Sequence, residues 1–171
     1  MVTDFGRTAT DYARHRVGFP DAFFERLFSD GSVHKGNVVL DLGTGTGTVA
    51  RGLAMRGCEV TGLDHSAPLL AHAAEIDRAA GVQVKQVRAR VENAEFSPAS
   101  FDVITAGQCW HWFDRPRTAA LVRRWLRPGG HLLIAHFDWL PLAGNMVQET
   151  ERLILSYNPG WTLHSGSGLY P

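Results

Sequence analysis

An α/β protein built on an open, doubly wound parallel sheet is the fold class this sequence predicts, and three observations predict it. Short apolar runs alternate along the chain with segments of helical periodicity, the pattern of repeated β-α-β units. The runs also differ among themselves. "NVVLDL" and "HLLIAHF" read as strands covered on both faces, whereas "VQVKQV" alternates apolar and polar residues as a half-exposed edge strand does. Lastly, three alternating glycines follow the first run directly, in "VVLDLGTGTG", where an open sheet presents a ligand to the backbone.

Five parallel strands are therefore expected: Val38 to Leu42, Cys58 to Leu63, Val82 to Val87 at the edge, Phe101 to Ala106, and Leu132 to Phe137. The first intervening helix should start near Thr46, with Val49, Ala50, Leu53 and Ala54 on one face, and end before Gly57, which suits a left-handed terminal turn. The second should begin near Ser66, tolerate Pro68 in its first turn, and run through "LLAHAAEIDRAAG". Asp114 can cap the third, with Pro116 early and Leu121, Val122, Trp125 and Leu126 facing inward before "RPGG" stops it. Two further helices are expected outside this core, one in "FPDAFFERLF" and one near Met146 to Ser156. The ending "HSGSGLYP" reads as loop.

The length of 171 residues suits one domain spanning 1–171, with an N-terminal lid and helix region at 1–30 and a partial acceptor-side segment at 138–171. Lys plus Arg and Asp plus Glu balance at 17 each, so the whole-protein field offers no general attraction for nucleic acid or an anionic membrane, and neither is expected as a partner. The basic segment "RPRTAALVRRWLRPGG" is read as a solvated helix face. Cys58 and Cys109 lack metal-type or redox-type spacing, and the N-terminus lacks the apolar core of a signal peptide. A reduced, cytoplasmic setting is the expectation. Cys109-x-His111 and His136-x-Asp138 are weak metal spacings, and no metal is assigned.

Glycines at 43, 45 and 47 let the backbone turn sharply and approach a ligand without side chains intervening. A dinucleotide turn would be spaced G-x-G-x-x-G, whereas here it is G-x-G-x-G. Asp41, two residues before the first glycine, would disfavour a pyrophosphate and attract an ammonium group, directly or through water. Asp64, ending the second strand, can accept hydrogen bonds from a ribose diol. Together they suggest a ribose-bearing cofactor with an amino-acid tail.

That combination resembles the class I S-adenosylmethionine-dependent methyltransferases, particularly the small-molecule, methyltransferase type 11-like group, whose signature is D-x-G-x-G-x-G after an apolar run. "VTGLDHSAPLLAHA", "SFDVITAGQCWHWFD" and "WLRPGGHLLIAHF" resemble the family's segments around its second, fourth and fifth strands. The resemblance implies a Rossmann-like sheet, S-adenosyl-L-methionine as cofactor and methyl transfer to a small-molecule acceptor. The alternative is a noncatalytic binding or interaction module of the same fold.

Position by position, the resemblance implies that Asp41 and the turn Gly43, Thr44, Gly45 and Gly47 hold the methionine portion. Asp64 would bind the ribose, with His65 beside the adenosine. Arg90 stands where the family often has an acidic residue, Val91 would offer an amide to adenine, and Glu92 a nearby carboxylate. Gln108 would contact the methionine end. His111 would face the acceptor and serve as base if one is needed, because imidazole titrates near neutral pH; Trp110 and Trp112 otherwise read as loop packing. "YARHRVGF" resembles the family's lid, with Tyr12 and Arg16 matching and Val17 replacing proline.

The family's sheet has seven strands, the last two forming an antiparallel hairpin. No such pair reads from "NPGWTLHSGSGLYP", so the hairpin is expected to be missing. The fifth strand would then be an exposed apolar edge, and reduced stability or self-association through it is expected.

Overall fold

The computed structural model describes residues 18–137 and 140–161. Its elements in chain order are α1 (Asp21–Ser29), β1 (Val38–Leu42), α2 (Thr48–Ala54), β2 (Glu59–Asp64), α3 (Ala67–Ala79), β3 (Val84–Arg88), β4 (Phe101–Gly107), α4 (Arg115–Trp125), β5 (Leu126–Ala135) and α5 (Met146–Tyr157). Single 3-10 turns occupy Val91–Asn93 and Trp110–Trp112. The chain divides into two compact units after Ala135. The first holds the sheet. The second holds α5, which Asn145 caps by accepting a hydrogen bond from the Gln148 amide at 2.9 Å.

The five strands are ordered β3-β2-β1-β4-β5, every pair parallel. The chain thus winds outward from β1 in one direction and then, after β3, in the other. The resulting switch point lies at the carboxyl ends of β1 and β4, where such sheets open a crevice.

Alternation along the central strands builds two cores. Leu40, Leu42, Ile104 and Ala106 point to one face and join Val122 and Trp125 of α4. Val39, Val60 and Val103 point to the other and join Phe24, Val49, Ala50 and Leu53 from α1 and α2. Helix α1 packs close enough on α2 that a Cβ at Gly52 would lie 2.2 Å from the Phe24 ring, so only glycine admits that aromatic.

The first four expected strands are present with small shifts of boundary, and β3 is an edge as its alternation predicted, with burial that never becomes complete, whereas the fifth starts six residues early and takes in Leu126 and the "RPGG" expected to end the preceding helix. Asp114 caps α4 as predicted, accepting from the Arg117 amide at 3.1 Å. Three details differ. Helix α2 starts at Thr48 rather than Thr46, because the left-handed Gly47 (φ 79°) precedes it. Ser66 precedes α3 but forms no side-chain cap, its buried hydroxyl making no hydrogen bond; its amide instead donates to Asp64 Oδ1 at 2.8 Å. Strand β5 begins immediately after α4 and is not covered on both faces. It lies at the sheet edge, and Ile134 is 44% exposed.

Candidate functional site

The site grows from the end of β1. Parallel pairing sets Asp41 beside Thr105 of β4 and Gly62 of β2. Alternation turns Asp41 to the α2 side, where it is sealed at 2% exposure. The Thr105 hydroxyl donates to Asp41 Oδ1 at 2.6 Å. Burial pushes the carboxyl up to about 6; the hydroxyls of Thr105 and Thr44 and the Ala50 amide oppose that rise, and the neighbouring Asp64 charge adds to it. The Thr44 hydroxyl is itself buried and completes no hydrogen bond.

The glycine turn wraps over this carboxylate. Gly43, Gly45 and Gly47 all have left-handed φ, at 58°, 57° and 79°. Only glycine adopts that conformation without cost, and three in alternation curl the chain tightly. The Thr44 amide donates to Leu63 O at 3.0 Å, and the Gly47 amide to Thr44 O at 2.8 Å. Thr44 itself fits because β2 carries Gly62, where a Cβ would stand 2.9 Å from the threonine methyl.

Asp64 closes the turn from β2. Its Oδ2 accepts from the Gly45 amide at 2.9 Å while Oδ1 holds Ser66, leaving a buried acid whose carboxylate bridges turn and α3. His65, more than half exposed, places Nδ1 3.5 Å from Asp64 Oδ1. Among the described residues, no lysine or arginine pairs with Asp41 or Asp64.

The other wall comes from the end of β4. Gln108 takes a left-handed φ of 62°, a strained choice for a residue with a side chain, and its amide donates to Ala135 O at 2.8 Å. This bend delivers Cys109 beneath the turn, where Sγ donates to Leu42 O at 3.0 Å. A Cβ at Gly43 would meet Cys109 at 3.0 Å and Phe113 at 3.2 Å, so the two loops interlock. Burial, with Asp41 and Asp64 nearby, holds the Cys109 thiol well above its ordinary range, which makes it a neutral wedge. His111 and Trp112 follow in the 3-10 turn with rings 4.8 Å apart, and Trp112 is exposed.

After β3, Val91 is buried, and its amide enters none of the loop or turn hydrogen bonds among the described residues. Glu92 does something its spacing did not suggest. Its carboxylate accepts from the Asp114 amide at 3.1 Å, and its carbonyl from Arg117 Nη2 at 2.8 Å, so it fastens the loop to the start of α4. Tyr12 and Arg16 lie outside the described residues, as does Asp138. Cys109 and His111 join no group of three His, Cys, Asp or Glu side chains that could hold a metal among the described residues.

The structure thus gathers Asp41, Gly43, Thr44, Gly45, Gly47 and Asp64 at one turn, with Gln108 and Cys109 behind it. Sequence reasoning missed Thr105, the wedge role of Cys109, and a brace formed by Arg51, Asp77 and Gln86. Only strand register and tertiary packing reveal these.

Two buried acids with no lysine or arginine partner among the described residues, under a backbone stripped of side chains, suit a ligand that carries a cation and needs close backbone approach. The donor set fits S-adenosylmethionine, whose ammonium and sulfonium are cationic and whose ribose presents a diol. A parallel sheet with this crevice defines the class as a Rossmann-like cofactor-binding protein. Residues 39–130 match the family described as "Methyltransferase domain", and the chain belongs to that family, the class I S-adenosylmethionine-dependent methyltransferases.

Its relatives agree. An uncharacterised methyltransferase of Mycobacterium bovis is 33% identical over 132 residues, covering 77% of this chain and 51% of that protein. A malonyl-[acyl-carrier protein] O-methyltransferase of Enterobacter lignolyticus is 35% identical over 136 residues, with the same shares covered. The chain therefore spans about half the length of the curated relatives it matches. A methyltransferase structure from Aquifex aeolicus shares the fold at a TM-score of 0.66 and 18% identity, covering 91% of this chain and 88% of that one.

Proposed function

We propose that the chain binds S-adenosyl-L-methionine at the glycine turn and supports transfer of its methyl group to a small-molecule acceptor. One observation carries this reading: the Asp41 and Asp64 carboxylates lie under and beside Gly43 to Gly47, with no lysine or arginine paired to either among the described residues. Family membership supports the cofactor. Small molecules remain the acceptor class on the strength of the sequence resemblance.

When bound, the cofactor supplies an electrophilic methyl group on a sulfonium. The chain's own residues bind, orient and exclude water. Asp41 lends its charge to the ammonium end from beneath the turn, Asp64 offers its remaining lone pairs to the ribose hydroxyls, and the Val91 amide is available to adenine. Gln108, held in its bend, and the glycine backbone fix the methionine end. Positioning of this kind supplies much of the rate in a displacement at carbon. His111, next along the β4 loop, is assigned to the acceptor side, where its imidazole takes a proton if the nucleophile must lose one.

A mass-spectrometric acceptor screen with methyl-labelled cofactor tests the activity. Label in a small molecule, reduced strongly in His111→Ala while cofactor affinity persists, supports the reading. Cofactor binding without transfer to any acceptor favours the noncatalytic module.

A further inference from the structure

Arg51 lies one turn into α2, and its side chain is largely covered. Its side chain is 13% exposed and that of Asp77, on α3, 5%. Nη1 donates to Asp77 Oδ1 at 2.7 Å, and Nη2 donates to the Thr46 carbonyl at 3.0 Å. Gln86 of β3 completes the group by donating from Nε2 to Asp77 Oδ2 at 3.1 Å. Arg51 is thus clamped by an acid that two other elements hold in place.

Thr46 is the last side-chain-bearing residue of the turn, between two left-handed glycines that have no conformational preference of their own. The peptide joining Thr46 to Gly47 is fixed at both ends. Its carbonyl accepts from Arg51, and its N–H donates to Thr44 O. Flipping that peptide would need both bonds broken. The rear of the turn is packed too: a Cβ at Gly47 would stand 3.3 Å from Ala73 and 3.4 Å from Arg51 Nη1.

The charge arrangement points the same way. Among the described residues three acids surround the turn, Asp41, Asp64 and Asp77, and of these only Asp77 has a guanidinium against it. Burial drives the Asp77 carboxyl upward, and the Arg51 guanidinium and the Gln86 amide oppose that only in part. The two acids on the ligand side keep their negative field.

We propose that Arg51 is a positioning residue for the cofactor: anchored by Asp77 and Gln86, it locks the Thr46–Gly47 peptide so that the glycine turn is preorganised to receive S-adenosylmethionine. The inference rests on the cofactor reading above. It separates two jobs that a buried ion pair can do, holding the fold and shaping the site.

The test compares calorimetric affinity for S-adenosylhomocysteine, thermal midpoint, and hydrogen exchange of the Gly47 amide in the wild-type chain, Arg51→Lys, and the double variant Arg51→Met with Asp77→Leu. Removing both charges relieves the pair of its desolvation cost, so the double variant should melt near or above wild type. It should nevertheless bind at least tenfold more weakly and exchange Gly47 faster, because Thr46 has lost its donor. Arg51→Lys, keeping the charge with one ammonium instead of a fork, should be intermediate. A double variant that matches wild type in affinity and exchange overturns the positioning role. Failure of the wild-type chain itself to bind S-adenosylhomocysteine overturns the cofactor reading instead, and the positioning role with it.

Discussion

Asp64 Oδ2 accepts a hydrogen bond from the Gly45 amide at 2.9 Å, which joins the end of β2 to the middle of the glycine turn. The acid expected to meet a ribose is therefore also a structural member of the turn. A carboxylate can do both, since each oxygen has two lone pairs.

That dual role predicts a loss larger than one ligand contact when Asp64 is removed. Asp64→Ala should weaken S-adenosylhomocysteine binding by about 2 to 4 kcal/mol, combining the lost charge-assisted contact with a loosened Gly45. Asp64→Asn should fall between, because one amide oxygen can still accept from Gly45. Titration calorimetry reads both values. Equal affinities for Ala and Asn variants would confine Asp64 to the ligand contact.

Asp41 sets a trade between stability and binding. Its native carboxyl is pushed up to about 6, whereas the unfolded chain has the ordinary value of 3.8. Between those values the native state holds a proton that the unfolded state has released, so stability is greatest below about pH 4 on this account and falls as pH rises to about 6. Above that the penalty is constant. Asp41→Asn removes it and should stabilise the chain at pH 8 by about 2 to 4 kcal/mol while weakening cofactor binding. Thermal melts from pH 4 to 8 check the slope, which should flatten in the variant.

Gly52 tests how α1 is held. Alanine there drives a methyl into the Phe24 ring, and Arg56, which stacks 4.6 Å over that ring and reaches Asp21 at 2.8 Å, would be displaced with it. Gly52→Ala should cost about 1 to 3 kcal/mol by overpacking. Adding Phe24→Leu should recover part of the loss in chemical denaturation.

Among the described residues β5 pairs only with β4, which predicts association. This strand ends the described sheet, Ile134 is exposed on it, and Arg127 is drawn aside by Asp102 at 2.8 Å. We propose that two copies meet along it. Sedimentation should show concentration-dependent self-association that Ile134→Lys abolishes, as edge lysines do. A wild-type monomer across the range would reject it.

Much of this architecture was legible in the sequence because parallel strands buried on both sides leave unbroken apolar runs, as in Val38 to Leu42. Glycine spacing located the turn, and Asp41 and Asp64 gave its charge. The Asp114 cap was readable because capping is local. Thr105 was not, since its meeting with Asp41 depends on strand register 64 residues away. Cys109 and the Arg51–Asp77 brace are likewise products of packing between elements. Strand β5 stands at the edge of the described sheet as expected, but its apolar run read as covered on both faces, because hydropathy alone does not show whether a layer packs against it.

The central claim is that Asp41 and Asp64 make the glycine turn a receptor for a cationic amino-acid tail on a nucleoside. Calorimetric titration of the chain at pH 8 with S-adenosylhomocysteine and with methylthioadenosine, which lacks that tail, tests it directly. One site per chain and at least tenfold tighter binding of S-adenosylhomocysteine are expected, a preference that collapses in Asp41→Asn. Equal affinity for the two nucleosides, or binding of neither, would contradict it.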